Sequence, residues 1–348
     1  MYSLAPLGCM GYNPAHMNWD LIGHTSTVQL LTRQMASGSL RQAYLLCGPE
    51  GVGRRTLGLR LAKALLCSAP PAPGAFCGAC QACRQVEYEQ FSSLHVLQAE
   101  PGAALKVEQV RALQAALALT PVGAQRHVSL LLRFEEATPG AQNALLKTLE
   151  EPNPSSVLIL TASSPEDVLP TVASRCETLR LRPLAPADLE KALLELGEGD
   201  AQAVALAARL SGGRPGYALR LLREPELMRA REEWTDAFFT LLHGNRTERL
   251  AFSMAATREK ERGGARAALK TAFTHWQTLW RDVLLLQSAS DLPLVNADRA
   301  DDLDGISEKL THGEAARQIR RLQAASARLP NASLTLMLDA LLLGWPQA

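Results

Sequence analysis

Nine residues, GPEGVGRRT at 48–56, restrict this chain more than any others. They follow the apolar run AYLLC (43–47) directly and lead into an amphipathic stretch over 55–67. An apolar run, a glycine-rich turn and a helix in immediate succession make a strand–loop–helix unit. In such a unit the glycines let backbone N–H groups turn inward at the helix N-terminus, where phosphates bind. The rest of the first half keeps the rhythm. Strand-like runs fall at 94–98, 128–132 (VSLLL), 157–161 (VLILT) and 178–182, with helical patterns at 26–37, 106–118 and 140–150. Short apolar strands alternating with helices predict βαβ units and a parallel sheet covered on both faces.

The loop departs from the full phosphate-binding pattern G-x4-G-K-[ST] at the positions that carry chemistry. Gly48 and Gly53 fit, but Arg54 stands where the lysine belongs and Arg55 where a Mg²⁺-binding hydroxyl belongs. Thr56 is no simple replacement, because one residue along a helix is a rotation of about 100°. The planar guanidinium of Arg54 keeps the charge without the compact shape of an ammonium. A hydrolytic enzyme of this type also ends a later strand in an acidic residue that holds Mg²⁺. Here 128–132 runs into Leu132-Arg133-Phe134, and Glu135 and Glu136 arrive two or three residues late. Impaired Mg²⁺-dependent hydrolysis is expected, with nucleotide binding weak at most.

Four of the seven cysteines form a C-x9-C-x2-C-x2-C cluster: Cys67, Cys77, Cys80 and Cys83, with SAPPAPG as a turn-rich bridge. Tetrahedral Zn²⁺ wants four such thiolates, and C-x2-C spacings let neighbouring sulfurs converge on one ion. Zinc is favoured over free thiols or a redox pair. With all four positions filled, the ion is structural, and reduced cysteines predict a cytoplasmic protein. Cys9, Cys47 and Cys176 read as small core residues.

Beyond residue 183 no strand pattern is evident, and the chain reads as helices. Segments at 187–196, 200–210 and 215–223 suggest a small helical lid. Longer helices follow, broken at HGNRT, REKERGG, 288–305 and Pro330-Asn331. Leu334, Met337, Leu338, Leu341, Leu342 and Trp345 make one apolar stripe at helical spacing. The expected domains are a disordered extension over 1–16, an α/β domain over 17–182 with a zinc module at 67–83, a lid over 183–225 and a helical domain over 226–348. Residues 1–16 lack a basic start and a sustained apolar core, so no signal peptide is expected. No apolar run approaches the roughly 18–20 residues of a membrane span.

Thirty-six Lys and Arg balance thirty-five Asp and Glu, for a formal charge of +1. That balance argues against a free-standing nucleic-acid binder, whose phosphate contacts normally leave a basic excess. Asp291, Asp298, Asp301, Asp302 and Asp304 read as a solvated acidic loop, and Arg317, Arg320, Arg321 and Arg328 as an exposed basic helix face. The scattered histidines suggest no metal site. No carboxylate cluster suits two-metal polymerase or nuclease chemistry. Glu150-Glu151 ends a helix where the dipole disfavours acid, which suggests a partner contact.

The strings WDLIGHTSTVQLLTRQMASGSLRQAYLLCGPEGVG (19–53), AQNALLKTLEEPNPSS (141–156) and VLPTVASRC (168–176) carry a resemblance. The chain resembles the bacterial clamp-loader subunits of the AAA+ class, densely over 19–182 and loosely through the helical remainder. The resemblance implies a P-loop sheet domain with an inserted zinc module, a lid and a C-terminal collar domain. It implies that Cys67, Cys77, Cys80 and Cys83 are zinc ligands. It also implies that Arg175, in Ser174-Arg175-Cys176, is an arginine finger reaching the ATP γ-phosphate of a neighbouring subunit. Gly48, Gly51, Gly53, Arg54 and Thr56 correspond to the nucleotide loop in position. The lid's sensor arginine falls on Gly216, with Arg214 nearby. The implied role is a non-catalytic member of the DNA polymerase III clamp loader, a hetero-pentamer. Its partners would be gamma/tau and delta subunits and, through the complex, the sliding clamp and primed DNA. The alternative is an active gamma/tau-type ATPase, which the loop and the late acidic residues disfavour.

Overall fold

The structure, a computed structural model, describes residues 19–100, 103–258, 264–311, 313–329 and 332–347. The 1–16 extension, Pro330-Asn331 and most of the REKERGG break lie outside them. The chain divides into two compact units: residues up to Leu184 with Arg214–Gly216, and Ala185–Gly213 with the residues from Tyr217 onward.

The first unit runs α1 (Thr25–Ala36), β1 (Ala43–Cys47), α2 (Arg54–Leu66), α3 (Gln81–Glu87), β2 (Leu94–Gln98), α4 (Val107–Leu117), β3 (His127–Leu132), α5 (Pro139–Glu150), β4 (Ser156–Ala162), α6 (Pro170–Ala173) and β5 (Glu177–Arg180). The five strands form one parallel sheet in the order β2-β3-β4-β1-β5. Every residue of β1, β3 and β4 is buried, as continuous apolar runs covered on both faces require, while the edge strands β2 and β5 are only partly buried. Side chains alternate between the faces. Leu46, Leu130 and Ile159 pack with Leu57 and Leu61 of α2 on one side, and Leu45, Leu131 and Leu160 with Leu113 and Leu145 on the other. Gly58 lets α2 lie close to the sheet, since a Cβ there would meet Leu130 Cδ1 at 2.7 Å.

The strands expected at 43–47 and 94–98 have those bounds, and the other three differ by one or two residues. Helix α3 was not expected. Cys80 caps it, its sulfur accepting from the Cys83 N–H.

The second unit contains α7 (Pro186–Glu195), α8 (Ala201–Leu210), most of α9 (Pro215–Arg223), α10 (Pro225–His243), α11 (Arg246–Arg258), α12 (Gly264–Gln287), α13 (Ala300–Lys309), α14 (Glu314–Arg328) and α15 (Leu334–Leu342). No strand occurs among its described residues. Its core centres on Phe238, Phe273, Trp276, Trp280 and Trp345, whose rings meet mostly edge to face. The stripe on α15 faces this core, with Leu338, Leu341, Leu342 and Trp345 buried and Leu334 and Met337 partly so. Arg249 is buried and has no carboxylate partner among the described residues. It donates instead to the carbonyls of Leu241, Leu242, Leu342, Trp345 and Pro346, so one guanidinium caps the C-terminal ends of α10 and α15. The C-terminal ends of helices carry partial negative charge, which offsets the desolvation of that cation.

Two surface expectations need correction. The acidic stretch is not simply a solvated loop, because Asp298 makes a bidentate pair at 2.7 Å with buried Arg231. Asp301 and Asp302 occupy the first turn of α13, where the dipole favours acid. Nor is the arginine face of α14 wholly exposed: Arg321 donates to the Ala340 carbonyl at 2.6 Å and to that of Gly344, capping α15. Arg317 pairs with Glu314 at 2.7 Å, while Arg320 and Arg328 are exposed.

The Arg231 network also constrains a histidine. His275 Nε2 lies 2.7 Å from Thr235 Oγ1, whose hydroxyl donates to the Arg231 carbonyl. Burial first, and then the Arg231 charge, push the His275 imidazole from 6.5 down to about 4. Between those values the unfolded chain binds the proton and the folded chain does not, so stability rises with pH across that window. Denaturant titrations at pH 7 and pH 4.5 should show about 2 kcal/mol lost from this residue, a component that His275→Gln removes from the pH dependence.

Candidate functional site

Strand order builds the crevice at the carboxyl ends of the sheet. With β4 between β1 and β3, the segments leaving all three strands meet there, the usual ligand position in open α/β sheets. The loop 48–53 leaves β1, Ser163 follows β4, and Glu135 lies in the 3-10 turn Phe134–Glu136 after β3. Gly53, at φ +111°, caps α2 in a conformation L side chains rarely adopt.

Arg54, the first residue of α2, is buried in this crevice. Its Nη1 lies 3.6 Å from Glu135 Oε1 and 3.5 Å from Ser163 Oγ. The same Glu135 oxygen accepts from the Ser163 N–H at 3.2 Å and from its hydroxyl at 2.9 Å. Glu135 is therefore late in sequence but not lost from the site. Arg133 adopts φ +49°, its N–H donates to Thr161 Oγ1 at 2.8 Å, and the turn carries Glu135 back over the loop. The Glu135 carboxylate and the Arg54 guanidinium thus face each other inside the crevice.

The loop's own polar groups are engaged as well. The Gly48 N–H donates to the Ala162 carbonyl at 3.2 Å and the Val52 N–H to that of Pro49 at 3.2 Å. His24 Nε2 contacts the Val52 carbonyl at 2.8 Å. The Gly216 N–H donates to the Gly51 carbonyl at 2.8 Å, and a Cβ at residue 216 would sit 3.0 Å from that oxygen. Arg55 turns away from the crevice and bonds Glu89 and Gln98. Of the sequence-predicted loop residues, Arg54 alone directs a described side-chain charge into the crevice.

Arg175 is elsewhere. It follows α6 and precedes β5, whose Glu177 pairs with Tyr44 in β1. At about 3.3 Å per residue, that register puts it roughly 20 Å from Gly48, at the opposite end of the strands. Its Nη2 lies 2.7 Å from Glu150 Oε1 and its Nη1 donates to the Thr171 carbonyl at 3.0 Å. Glu150, marked in sequence by its misfit with the helix dipole, thus has a partner within the chain. Arg175 also lines an open cavity of about 560 Å³ with Arg41, Leu158, Pro152 and Glu177.

The four cysteines converge. Their sulfurs all lie within 4.8 Å of one another, at 3.6 Å for Cys67–Cys77, 3.9 Å for Cys67–Cys80 and 4.0 Å for Cys77–Cys83. Four ligands at Zn–S distances of about 2.3 Å stand about 3.8 Å apart in a tetrahedron. Backbone N–H groups of Cys77, Cys80 and Cys83 point at the sulfurs of Cys67, Cys77 and Cys80, stabilising thiolate charge. The cluster can hold a metal ion and its dimensions fit zinc. Beneath it, Arg60 and Lys63 of α2 share Glu87 of α3 and lie over the Phe76 ring.

Residues 23–185 match the family model described as DNA polymerase III, delta subunit. This part of the chain is similar to that family. It is 40% identical over 181 residues to DNA polymerase III subunit delta' of Pseudomonas aeruginosa, covering 51% of this chain and 55% of the relative. The delta' subunit of Bacillus subtilis is 33% identical over 168 residues, covering 48% and 50%. DNA polymerase III subunit tau of Escherichia coli is 31% identical over 169 residues, or 47% of this chain and 25% of that one. The chain spans about half the length of the delta' relatives it matches, and residues 23–185, which match the family model, include the loop, the four clustered cysteines and Arg175. Among the described residues no helix is long and apolar enough to cross a membrane.

The cluster's capacity for metal is directly measurable. Replacing Cys80 by Ser should lower bound metal from about one equivalent per chain toward zero, read by elemental analysis, with a fall in melting temperature. Unchanged metal content would remove the site.

Proposed function

We propose that this chain is a non-catalytic, delta-prime-type subunit of a DNA polymerase III clamp loader. The observation that carries the reading is the Arg54–Glu135–Ser163 network. Arg54 replaces the loop lysine, and the acidic residue that would serve Mg²⁺ is committed to that guanidinium. A triphosphate entering the crevice would have to break this pair and approach the Glu135 carboxylate. Gly216 at the sensor position supplies no guanidinium of its own. The loop is best read as degenerate, and the chain as having no intrinsic ATPase or polymerase activity.

Its contribution to chemistry is through Arg175. The sheet register separates Arg175 from its own loop, so a finger role operates in trans, on ATP bound by an adjacent gamma/tau subunit. A guanidinium at developing phosphoryl charge is worth roughly 10³–10⁵ in rate where measured. On this reading the chain is one member of a cytoplasmic hetero-pentamer with gamma/tau and delta subunits. It meets the sliding clamp and primed DNA through that assembly, which the near-zero net charge suits. Residues 17–182 would be the AAA+ domain, 183–225 the lid and 226–348 the collar domain, with a structural zinc on Cys67, Cys77, Cys80 and Cys83. The relatives named tau keep the active gamma/tau-type ATPase as the alternative, and nucleotide titration separates the two.

Isothermal titration of the isolated chain should give weak ATP binding with no gain from Mg²⁺, and no hydrolysis above background. Tight Mg²⁺-dependent binding would favour the gamma/tau reading. The finger is tested in a reconstituted complex whose one competent ATP site faces Arg175. Arg175→Ala should lower turnover there by roughly 10³-fold while leaving assembly unchanged by size-exclusion chromatography. Unaltered turnover would end the role.

A further inference from the structure

The side chain of Arg175 is not extended toward a neighbour. It folds back, Nη1 donating to the Thr171 carbonyl one helical turn earlier and Nη2 meeting Glu150 Oε1 at 2.7 Å. The carboxylate comes from the last residue of α5, a position where the helix dipole disfavours acid, so local helix energetics do not explain it. Both partners are partly exposed, 36% for Arg175 and 51% for Glu150, and Arg175 lines the open cavity at this edge of the sheet. An exposed pair is weak and readily exchanged. A multiply charged phosphoryl oxygen is a stronger acceptor for the same fork, and Glu150 is free to rotate into water when displaced.

We propose that Glu150 is a positioning residue that parks Arg175 against α5 and α6, and that the phosphoryl oxygens of a neighbour's nucleotide displace it. This rests on the trans-finger reading. Parking keeps an unpaired guanidinium from engaging other anions before assembly, and its cost is the exchange of one ion pair for another. No covalent step is involved. Removing the carboxylate favours the extended arginine by the worth of an exposed ion pair, which sets the expected effect at roughly two- to five-fold.

The test is a double-mutant cycle in the complex whose one competent ATP site faces Arg175. Glu150→Gln should raise turnover there roughly two- to five-fold, with melting temperature and assembly unchanged. In an Arg175→Ala background the same substitution should do nothing. A merely structural contribution of Glu150 would move both backgrounds alike, and that outcome overturns the proposal, as does unchanged or lowered turnover in the Arg175 background. If Arg175→Ala alone leaves turnover unaltered, the finger reading fails and this inference fails with it. If Arg175→Ala lowers turnover while Glu150→Gln has no effect, the finger stands and the parking role does not.

Discussion

The pairing of β1 between β4 and β5 is the constraint on which the first unit depends. Its five residues are buried on both faces, and their register fixes what lies at each end of the sheet. Cys47 beside Ala162 brings Ser163 next to the loop, and β3 on the far side of β4 delivers Glu135 to the same crevice. At the other end, Glu177 opposite Tyr44 sets Arg175 away from that crevice. A slip of one residue would exchange the side chains of β1 between two differently packed cores, so core packing and site geometry are specified together.

That register explains why so much was legible in the sequence. Parallel strands buried on both faces must be continuous apolar runs, and AYLLC, VSLLL and VLILT announce themselves. The convergence of the four cysteines was equally plain, because C-x2-C spacing brings neighbouring sulfurs together. The second unit's last helix could be read from its stripe, since an amphipathic helix has one face to bury.

What escaped the sequence depends on turns and distant partners. Glu135 looked too late to reach the loop, and only the left-handed turn at Arg133, a conformation no pattern rule assigns to arginine, brings it back. Asp298 and Arg321 looked like solvated charges because their partners, Arg231 and the carbonyls ending α15, lie 67 and 19–23 residues away. Helix α3 is too short to show a period, and its start is marked by a cysteine rather than by the usual capping residues. In each case the missing information was tertiary.

Helix α2 joins the two chemical features of the first unit. Arg54 begins it, and Cys67 is its C-cap. Thirteen residues at about 1.5 Å each make a strut of roughly 20 Å between the crevice and the cysteine cluster. Arg55 near its start, Arg60 at its middle and Lys63 in its last turn tie that strut to Glu87, the last residue of α3, and to Glu89 just beyond it. A nucleotide loop ordinarily takes part of its order from the ligand it closes on. Here backbone bonds to Ala162 and Gly216 and the His24 ring hold the loop, and side-chain ion pairs hold the helix it begins, so the protein itself supplies much of that order.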